Sequence, residues 1–562
     1  MSSPEDLTEL RTWQRIRRYA VPDWMIEECA QRAGDDWRGR CAAGRIDVGF
    51  DLGEVADRFG SDTAERIELD LSRLAPDLLR WHLPRALDGR SSLVTDEHWI
   101  LSCVDDPVEK PLPKDTPLLA VRLPSTVDGS QRLRLELLTP ADINRYSVFD
   151  LPPYLWSTEH VRMLRFAYGG SAERLPGFQP DGTPIPVAGF ADDFDPTDPA
   201  SRAEAALRQL SDGEFRAAWR TAGIDLDLTP PESTYVNREG LAPLLRFPFN
   251  LTQLVPEANR LATRYGRSVT VIRLGFHLAV ELTMADPARP RARLTGWTTD
   301  ELKIGSMVSR RPPDLDLLWQ GLITPGELHP LVRQALFPGR PEPAAPGPTR
   351  LDERPIRVRC RGDWHTVVHR DGKLDTPSHT VEEAQREQAI RSLGGQVTGC
   401  FAVQQAWTGG RQRLPRRLRQ ERQEILQKVL HGGSRTLLEL LDAGLDPHMR
   451  DGRGRCLLHH LRAMDHTEVL PRLLAAGLRI DSRDVHGRTP LHVAVGDVGS
   501  VELVRALLEA GADPNVEDDT GTSALEIAYY KSGAEYADDE DLEQERSAIA
   551  RIHDLLNEWV ER

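Results

Sequence analysis

At 562 residues, with a formal net charge of −16 and 40% hydrophobic residues, the chain is too long for one core. It is also too acidic to serve mainly as a coat for nucleic acid or acidic membranes. Roughly three or four domains are expected at this length, and a mean hydropathy of −0.44 fits a charged surface.

The N-terminus "MSSPEDLTELRTWQRIRRYAVPDW" has acidic residues where a signal peptide carries basic ones, and no apolar segment follows. No run approaches the roughly 18 apolar residues needed to cross a bilayer. Cys29, Cys41, Cys103, Cys360, Cys400 and Cys456 are scattered without a CxxC pair, which fits a reducing compartment. The expectation is a cytoplasmic protein. Six lysines against 65 arginines read as a bacterial gene of high G+C content.

Residues 1–110 are expected to form a mainly helical N-terminal region. Ile67, Leu71, Leu74, Leu78 and Leu79 fall at helical spacing, and Pro76 allows a break. The proline-rich stretch Ser102–Pro117 reads as a joint. Residues 111–340 read as an α+β region of unknown role. Leu133, Leu135 and Leu137 alternate with charged residues, and Asp128-Gly129 supplies a turn, which predicts a hairpin. Helices are expected at "TEHVRMLRFAY", "SRAEAALRQL", "DGEFRAAWRTAG" and "LTQLVPEANRLATRYG", and strands at "SVTVIRL" and "HLAVELT". The tryptophans of this half, Trp13 to Trp219, are expected to anchor cores.

A denser proline run, Pro338–Pro355, is the stronger boundary. Beyond it, residues 355–410 predict a small β-β-α-β unit. "IRVRC" and "WHTVV" are strands, Asp371-Gly372 a turn, and Thr380 and Glu383 a capping box, with Gly394-Gly395 as the stop. "CFAVQQAW" is expected to return as a strand.

From about residue 416 the chain repeats itself. Asp484, Gly487, Leu491, Ala494, Leu508 and Gly511 follow Asp451, Gly454, Leu458, Leu461, Leu474 and Gly477 by 33 or 34 residues. Gly487, Leu491 and Ala494 recur as Gly521, Leu525 and Ala528. The stretch "GRTPLHVAV" with "LVRALLEAGADPNVED" at this period closely resembles the ankyrin repeat, across about residues 416–562. The resemblance implies a C-terminal all-α ankyrin solenoid in a multi-domain chain, closed by a C-terminal capping helix. That helix would carry Leu542, Ile549, Ile552, Leu555, Leu556 and Trp559 on one face, with Asp538–Asp541 as its acidic approach. It also implies that Thr489 and His492 hydrogen-bond within and between units. The Asp451 unit has Arg-Cys-Leu-Leu-His in place of the Thr-Pro-Leu-His start, and the Asp518 unit has Ser523-Ala524-Leu525-Glu526.

Recognisable catalytic motifs are lacking: no phosphate-binding loop, HExxH, GxSxG or paired CxxC occurs. The acidic run Asp192, Asp193, Asp195 and Asp198 lacks the glycine and glutamate of a calcium loop and reads as solvated. Cys360, His365 and His369 lie near Asp363. The two histidines, four apart on a strand, stand roughly 13 Å from each other. No metal ligand is assigned there, and a Cys–His pair across the hairpin would need a third, orienting group. Arg411, Arg413, Arg416, Arg417, Arg419 and Arg422 lack interleaved aromatics, so nucleic acid is not the favoured partner. No cofactor, metal or catalytic residue is predicted.

Ankyrin surfaces imply recognition of another protein. The partner-binding candidates lie at the hairpin tips: His448, Arg450, Arg453, Arg483, Val485, His486, Glu517 and Asp519. They would form an edge running from basic to acidic, facing a partner with an acidic patch. The expected function is that of a cytoplasmic interaction, scaffold or regulatory protein. The alternative is an enzyme with its centre in residues 111–340, targeted by the array.

Overall fold

In the computed structural model the chain divides into two compact units, Met1–Val127 with Gln131–Ala344, and Asp128–Ser130 with Ala345–Arg562. The residues described are all except 1–3, 33, 35, 88–91, 103–110, 126–130, 144–146, 191–193, 232–241, 276–277, 297–300, 341–354, 371–372, 394–397, 410–413, 498, 533–539 and 562. Cys103, the Asp128-Gly129 and Asp371-Gly372 turns, Gly394-Gly395, Asp192, Asp193, Arg411, Arg413 and most of Pro338–Pro355 thus lie outside the description.

The first unit opens with helices Pro4–Tyr19, Asp23–Gln31, Trp37–Ala43, Leu52–Phe59, Ser61–Arg73 and Pro76–His82. Pro76 starts the last of these, where its missing N–H costs no hydrogen bond. Ile67, Leu71, Leu74, Leu78 and Leu79 are all buried. The joint expected at Ser102–Pro117 does not divide this fold. Strands β1 (Ile46–Val48) and β2 (His98–Ile100) precede it. They share one sheet with β3 (Leu118–Arg122), β4 (Leu133–Leu138) and β5 (Val148–Asp150), in the order β1-β4-β3-β2-β5. A polar, proline-rich sequence is compatible with a loop between paired strands as well as with a linker. The expected hairpin is β3–β4, antiparallel with Ala120 opposite Glu136.

The second sheet repeats this plan. Strands β6 (Asp225–Asp227), β7 (Val269–Arg273), β8 (Leu278–Thr283), β9 (Arg291–Gly296) and β10 (Leu302–Lys303) lie in the order β10-β7-β8-β9-β6. In both sheets the first strand runs parallel to the fourth and the fifth parallel to the second. The second, third and fourth are antiparallel in both. Two helices lead into each first strand: Asp23–Gln31 and Trp37–Ala43 before β1, Pro199–Ser211 and Phe215–Thr221 before β6. One apolar core containing Trp13, Trp81, Trp99, Trp156 and Trp219 joins both sheets and the N-terminal helices. "TEHVRMLRFAY" yields only a 3-10 turn, Val161–Met163, and one helical turn, Leu164–Ala167.

The second unit begins with β11 (Ile356–Cys360), β12 (Asp363–Arg370) and β13 (Lys373–Asp375), an antiparallel meander. Helix Val381–Ser392 follows its capping box, in which Glu383 N–H donates to Thr380 Oγ1 and Thr380 N–H to Glu383 Oε2. The expected returning strand is instead a helix, Gly399–Trp407. Cys400, Phe401, Ala402, Val403, Ala406 and Trp407 are buried on it, and Cys400, Val403, Ala406 and Trp407, at helical spacing, enter the apolar core. A short apolar run fits a buried strand and a buried helix equally, and its periodicity alone does not separate them. These elements share one apolar core with the repeats that follow, from Ile356 through Leu508 to Leu556. The β-rich segment and the repeats therefore form one body.

The repeats are helix pairs. Helix Arg416–Asp442 is broken at Gly433, and a 3-10 segment, Leu457–Ala463, pairs with His466–Ala475. Pro490–Gly496 pairs with Val501–Glu509, and Ala524–Ser532 with Glu540–Glu561. Gly477 and Gly511 follow their helices at φ of 87° and 93°, a region where a side chain would clash with the backbone. In the final helix Ile549, Ile552, Leu555 and Leu556 are buried and Trp559 packs against the same core. The side chains of Leu542 and of Asp538–Asp541 are outside the description.

Candidate functional site

Each tip between helix pairs is built around one aspartate. Asp451 Oδ1 accepts from the amides of Arg453 and Arg455, and Asp484 Oδ1 from those of His486 and Arg488. Asp518 Oδ1 accepts from those of Thr520 and Thr522. Burial raises the pKa of Asp484, but the two amides and the Arg488 guanidinium outweigh it and hold the carboxyl below its ordinary value.

Successive tips are tied together. Val485 N–H donates to Arg453 O at 2.9 Å, and Asp519 N–H to His486 O at 3.0 Å. Arg450 Nη1 donates to Gly454 O and, one repeat on, to Arg483 O at 2.8 Å. Arg483 Nη1 in turn reaches Glu517 O at 3.0 Å. The first tip is tied backwards too, by Arg450 N–H to Trp407 O at 3.2 Å.

The helix starts are tied in the same way. Thr489 Oγ1 lies 2.8 Å from His492 Nδ1, and His492 Nε2 lies 3.1 Å from Thr522 O in the following unit. In the degenerate unit Cys456 stands where Thr489 stands. His459 keeps both contacts, 3.2 Å to Cys456 Sγ and 3.0 Å to Arg488 O. Ser523 and Glu526 replace the pair in the last unit with a reciprocal cap.

A profile for ankyrin repeats, three copies, matches residues 426–518. Residues 426–518 are ankyrin repeats. Ninety residues are 40% identical to part of an E3 ubiquitin-protein ligase of Arabidopsis thaliana, 16% of this chain and 6% of that protein. Over 99 residues the chain is 36% identical to the nuclear factor NF-kappa-B p105 subunit of Mus musculus, 17% of this chain and 10% of that one. Over 106 residues it is 28% identical to an ankyrin repeat-containing protein of Treponema pallidum, 19% of this chain and 36% of that one. The chain thus spans between 6% and 36% of the length of these relatives.

Of the tip residues singled out in the sequence, His448, Arg453, Arg483, Val485, His486, Glu517 and Asp519 are exposed on the ankyrin tips, and Arg450 is half-buried. Arg450 and Arg483 also serve the packing of the tips themselves. Each links its own tip to the next through a carbonyl, and a one-repeat spacing between two arginines was the signal for this. His448 also lines a groove of about 810 Å³ against Lys373, Leu374, Gln404, Trp407 and Asp446. Sequence reasoning missed Tyr529 and Tyr530, which are 62% and 67% exposed on the Ala524–Ser532 helix of the last helix pair. No local pattern in the sequence marks this adjacent pair as exposed, since adjacent Leu78 and Leu79 on another helix are both buried.

The remaining candidates are local structure. Asp198 caps helix Pro199–Ser211 and pairs with Arg174, while Asp195 accepts from Thr197. Arg416 and Arg419 are exposed, and Arg422 reaches Ala406 O. In the first unit, Asp150 is enclosed by Arg260, Arg264 and the Tyr265 hydroxyl. His329 Nε2 meets Asp77 at 3.0 Å. Burial pushes the Cys29 and Cys41 thiols up to about 12, which leaves them protonated and unreactive. Among the described residues no helix is long and apolar enough to cross a membrane.

The buried histidines make the ankyrin repeats sensitive to acid. Burial lowers His459 to about 4 and also lowers His492, although the carbonyls of Arg488 and Thr522 act to raise them. An unfolded histidine titrates near 6.5, so between about 6.5 and about 4 the unfolded chain binds more protons than the folded one. Stability should therefore be full above about pH 6.5 and fall as pH drops toward about 4. Asp451, Asp484 and Asp518, held low, extend the loss below that window. Thermal melts across this range should show a shallower slope for His459→Asn than for the native chain. An unchanged slope would assign the pH dependence to the carboxylates.

Proposed function

We propose that this chain is a cytoplasmic interaction or regulatory protein, which recognises another protein along the ankyrin tips through an acidic patch on that partner. The observation that carries the reading is the division of labour at the tips. Their backbones are cross-linked from Trp407 to Asp519, while Arg453, Val485, His486, Glu517 and Asp519 extend outward. An edge already fixed in one shape loses little conformational freedom on binding. The arginine-rich composition supports a bacterial source.

Arg453→Glu and Val485→Glu test this, since both side chains are exposed. Each should change stability by no more than about 0.5 kcal/mol, while reducing capture of the partner from a cytosolic extract. Raised salt should weaken the native interaction in the same direction. Arg450→Glu and Arg483→Glu are unsuitable probes, because they also cut the links between tips. Deleting 416–562 is equally unsuitable, because it strips the shared core from the segment before it. If both probes leave capture intact, the contact is not on the tips. Tyr529→Ala and Tyr530→Ala then test the helix face, where exposed tyrosines supply the anchors that interfaces favour.

A further inference from the structure

The β-rich segment ahead of the ankyrin repeats brings together four side chains that no motif links. Cys360 ends β11, His365 lies on β12, His379 precedes helix Val381–Ser392, and Cys400 lies in the first turn of helix Gly399–Trp407. One ligand atom from each falls within 4.8 Å of all the others. His365 Nδ1 faces His379 Nε2 at 2.9 Å, and Cys360 Sγ faces the same nitrogen at 3.6 Å. Zinc at about 2.3 Å from sulfur and 2.0–2.1 Å from nitrogen holds tetrahedral ligands roughly 3.3–3.8 Å apart. The four atoms already approach that arrangement.

The surroundings are built to hold them. The hairpin turns at Arg361 and Gly362, with φ of 53° and 97°, which brings Cys360 opposite Asp363 and places His365 diagonally across on the same face. Gly399 lies so close to this turn that a Cβ there would stand 2.3 Å from Cys360 Sγ. The outer nitrogen of His379, Nδ1, lies 3.1 Å from Glu383 Oε2, which fixes which nitrogen faces inward. Glu383 also receives the Thr380 amide, so one carboxylate caps a helix and orients a histidine.

Two chemistries compete for this set. Cys360, His379 and Glu383 resemble a nucleophile, a base and an orienting acid. That reading gives no task to His365 or Cys400, and Cys360 is only 2% exposed and Cys400 0%. A metal ion uses all four, and two thiolates neutralise its charge. Two sulfurs and two nitrogens in a tetrahedral set select zinc among common cations, and four protein ligands leave no position for substrate.

We propose that Cys360, His365, His379 and Cys400 bind one zinc ion in a closed, structural site that fixes the segment on which the first ankyrin tip rests. Binding releases the two thiol protons to solvent, with no redox step.

The full chain, purified without chelator, should carry one zinc ion per molecule by atomic emission. Cobalt exchanged into it should give the intense visible and thiolate charge-transfer bands of a tetrahedral sulfur–nitrogen site. Cys400→Ser should lose the metal, and His486→Ala should keep it. If Cys400→Ser does not fold, Glu383→Gln serves instead, with zinc affinity falling about 10–100-fold by chelator competition. A folded chain that takes up no zinc or cobalt overturns the proposal. So does a Cys400→Ser chain that retains its zinc, or a thiol assay showing Cys360 and Cys400 joined as a disulfide.

Discussion

Asp314→Ala should destabilise the first unit by about 3–5 kcal/mol, the cost of stranding a buried charge. Asp314 is completely buried and meets Arg17 Nε at 2.5 Å, with the arginine side chain 2% exposed. Trp81 Nε1 donates to the same carboxylate at 3.2 Å and the Tyr168 hydroxyl at 3.4 Å. Arg17 also donates to Trp81 O and lies over the rings of Trp13 and Trp81. This one carboxylate thereby links the first helix to Pro313–Trp319, across most of the unit's sequence. Nine of the twelve tryptophans belong to the first unit, so fluorescence-detected urea unfolding follows mainly this transition. Arg17→Met with Asp314→Leu should recover much of the loss, because the desolvation cost disappears together with the pair. A single-variant loss below about 1 kcal/mol would mean that water reaches the Arg17 guanidinium.

No local pattern announces that network. Arg17 and Asp314 are far apart in sequence, and each reads alone as a surface charge on an amphipathic helix. The repeats lie at the opposite extreme. Their period, their glycines and the Thr489–His492 pair are local features, and each recurs in the structure as a local contact. The doubled sheet of the first unit falls between. Ala43-Gly44-Arg45-Ile46-Asp47 leading into β1 and Ala222-Gly223-Ile224-Asp225 leading into β6 do echo one another. The echo is short, however, and what the two halves share is strand order, which pairing across distant segments decides. The four Cys and His side chains were hidden for the same reason. Spacings of five, fourteen and twenty-one residues match no simple motif, and only the hairpin, a loop and a helix whose apolar run also fits a strand bring them together. At the tips, the sequence marks the hairpin positions but not that Arg450 and Arg483 are committed to carbonyls.

Leu508→Ala should cost the second unit about 2–5 kcal/mol, the range for deleting a fully buried leucine that leaves a cavity. Leu508 is 2% exposed on helix Val501–Glu509, which packs against both Pro490–Gly496 and the final helix Glu540–Glu561. A cavity there lies between two neighbours, so collapse toward one side opens a gap on the other. Each repeat buries its apolar face only against its neighbours, so the loss should spread through the unit. Arg505→Ala, one turn away on the exposed side of the same helix, should stay within about 0.5 kcal/mol. Unfolding followed by circular dichroism and by hydrogen exchange should show protection lost on both flanking helices in Leu508→Ala, and on neither in Arg505→Ala. Equal effects from the two substitutions would mean that helix propensity, and not burial between repeats, holds this helix in place.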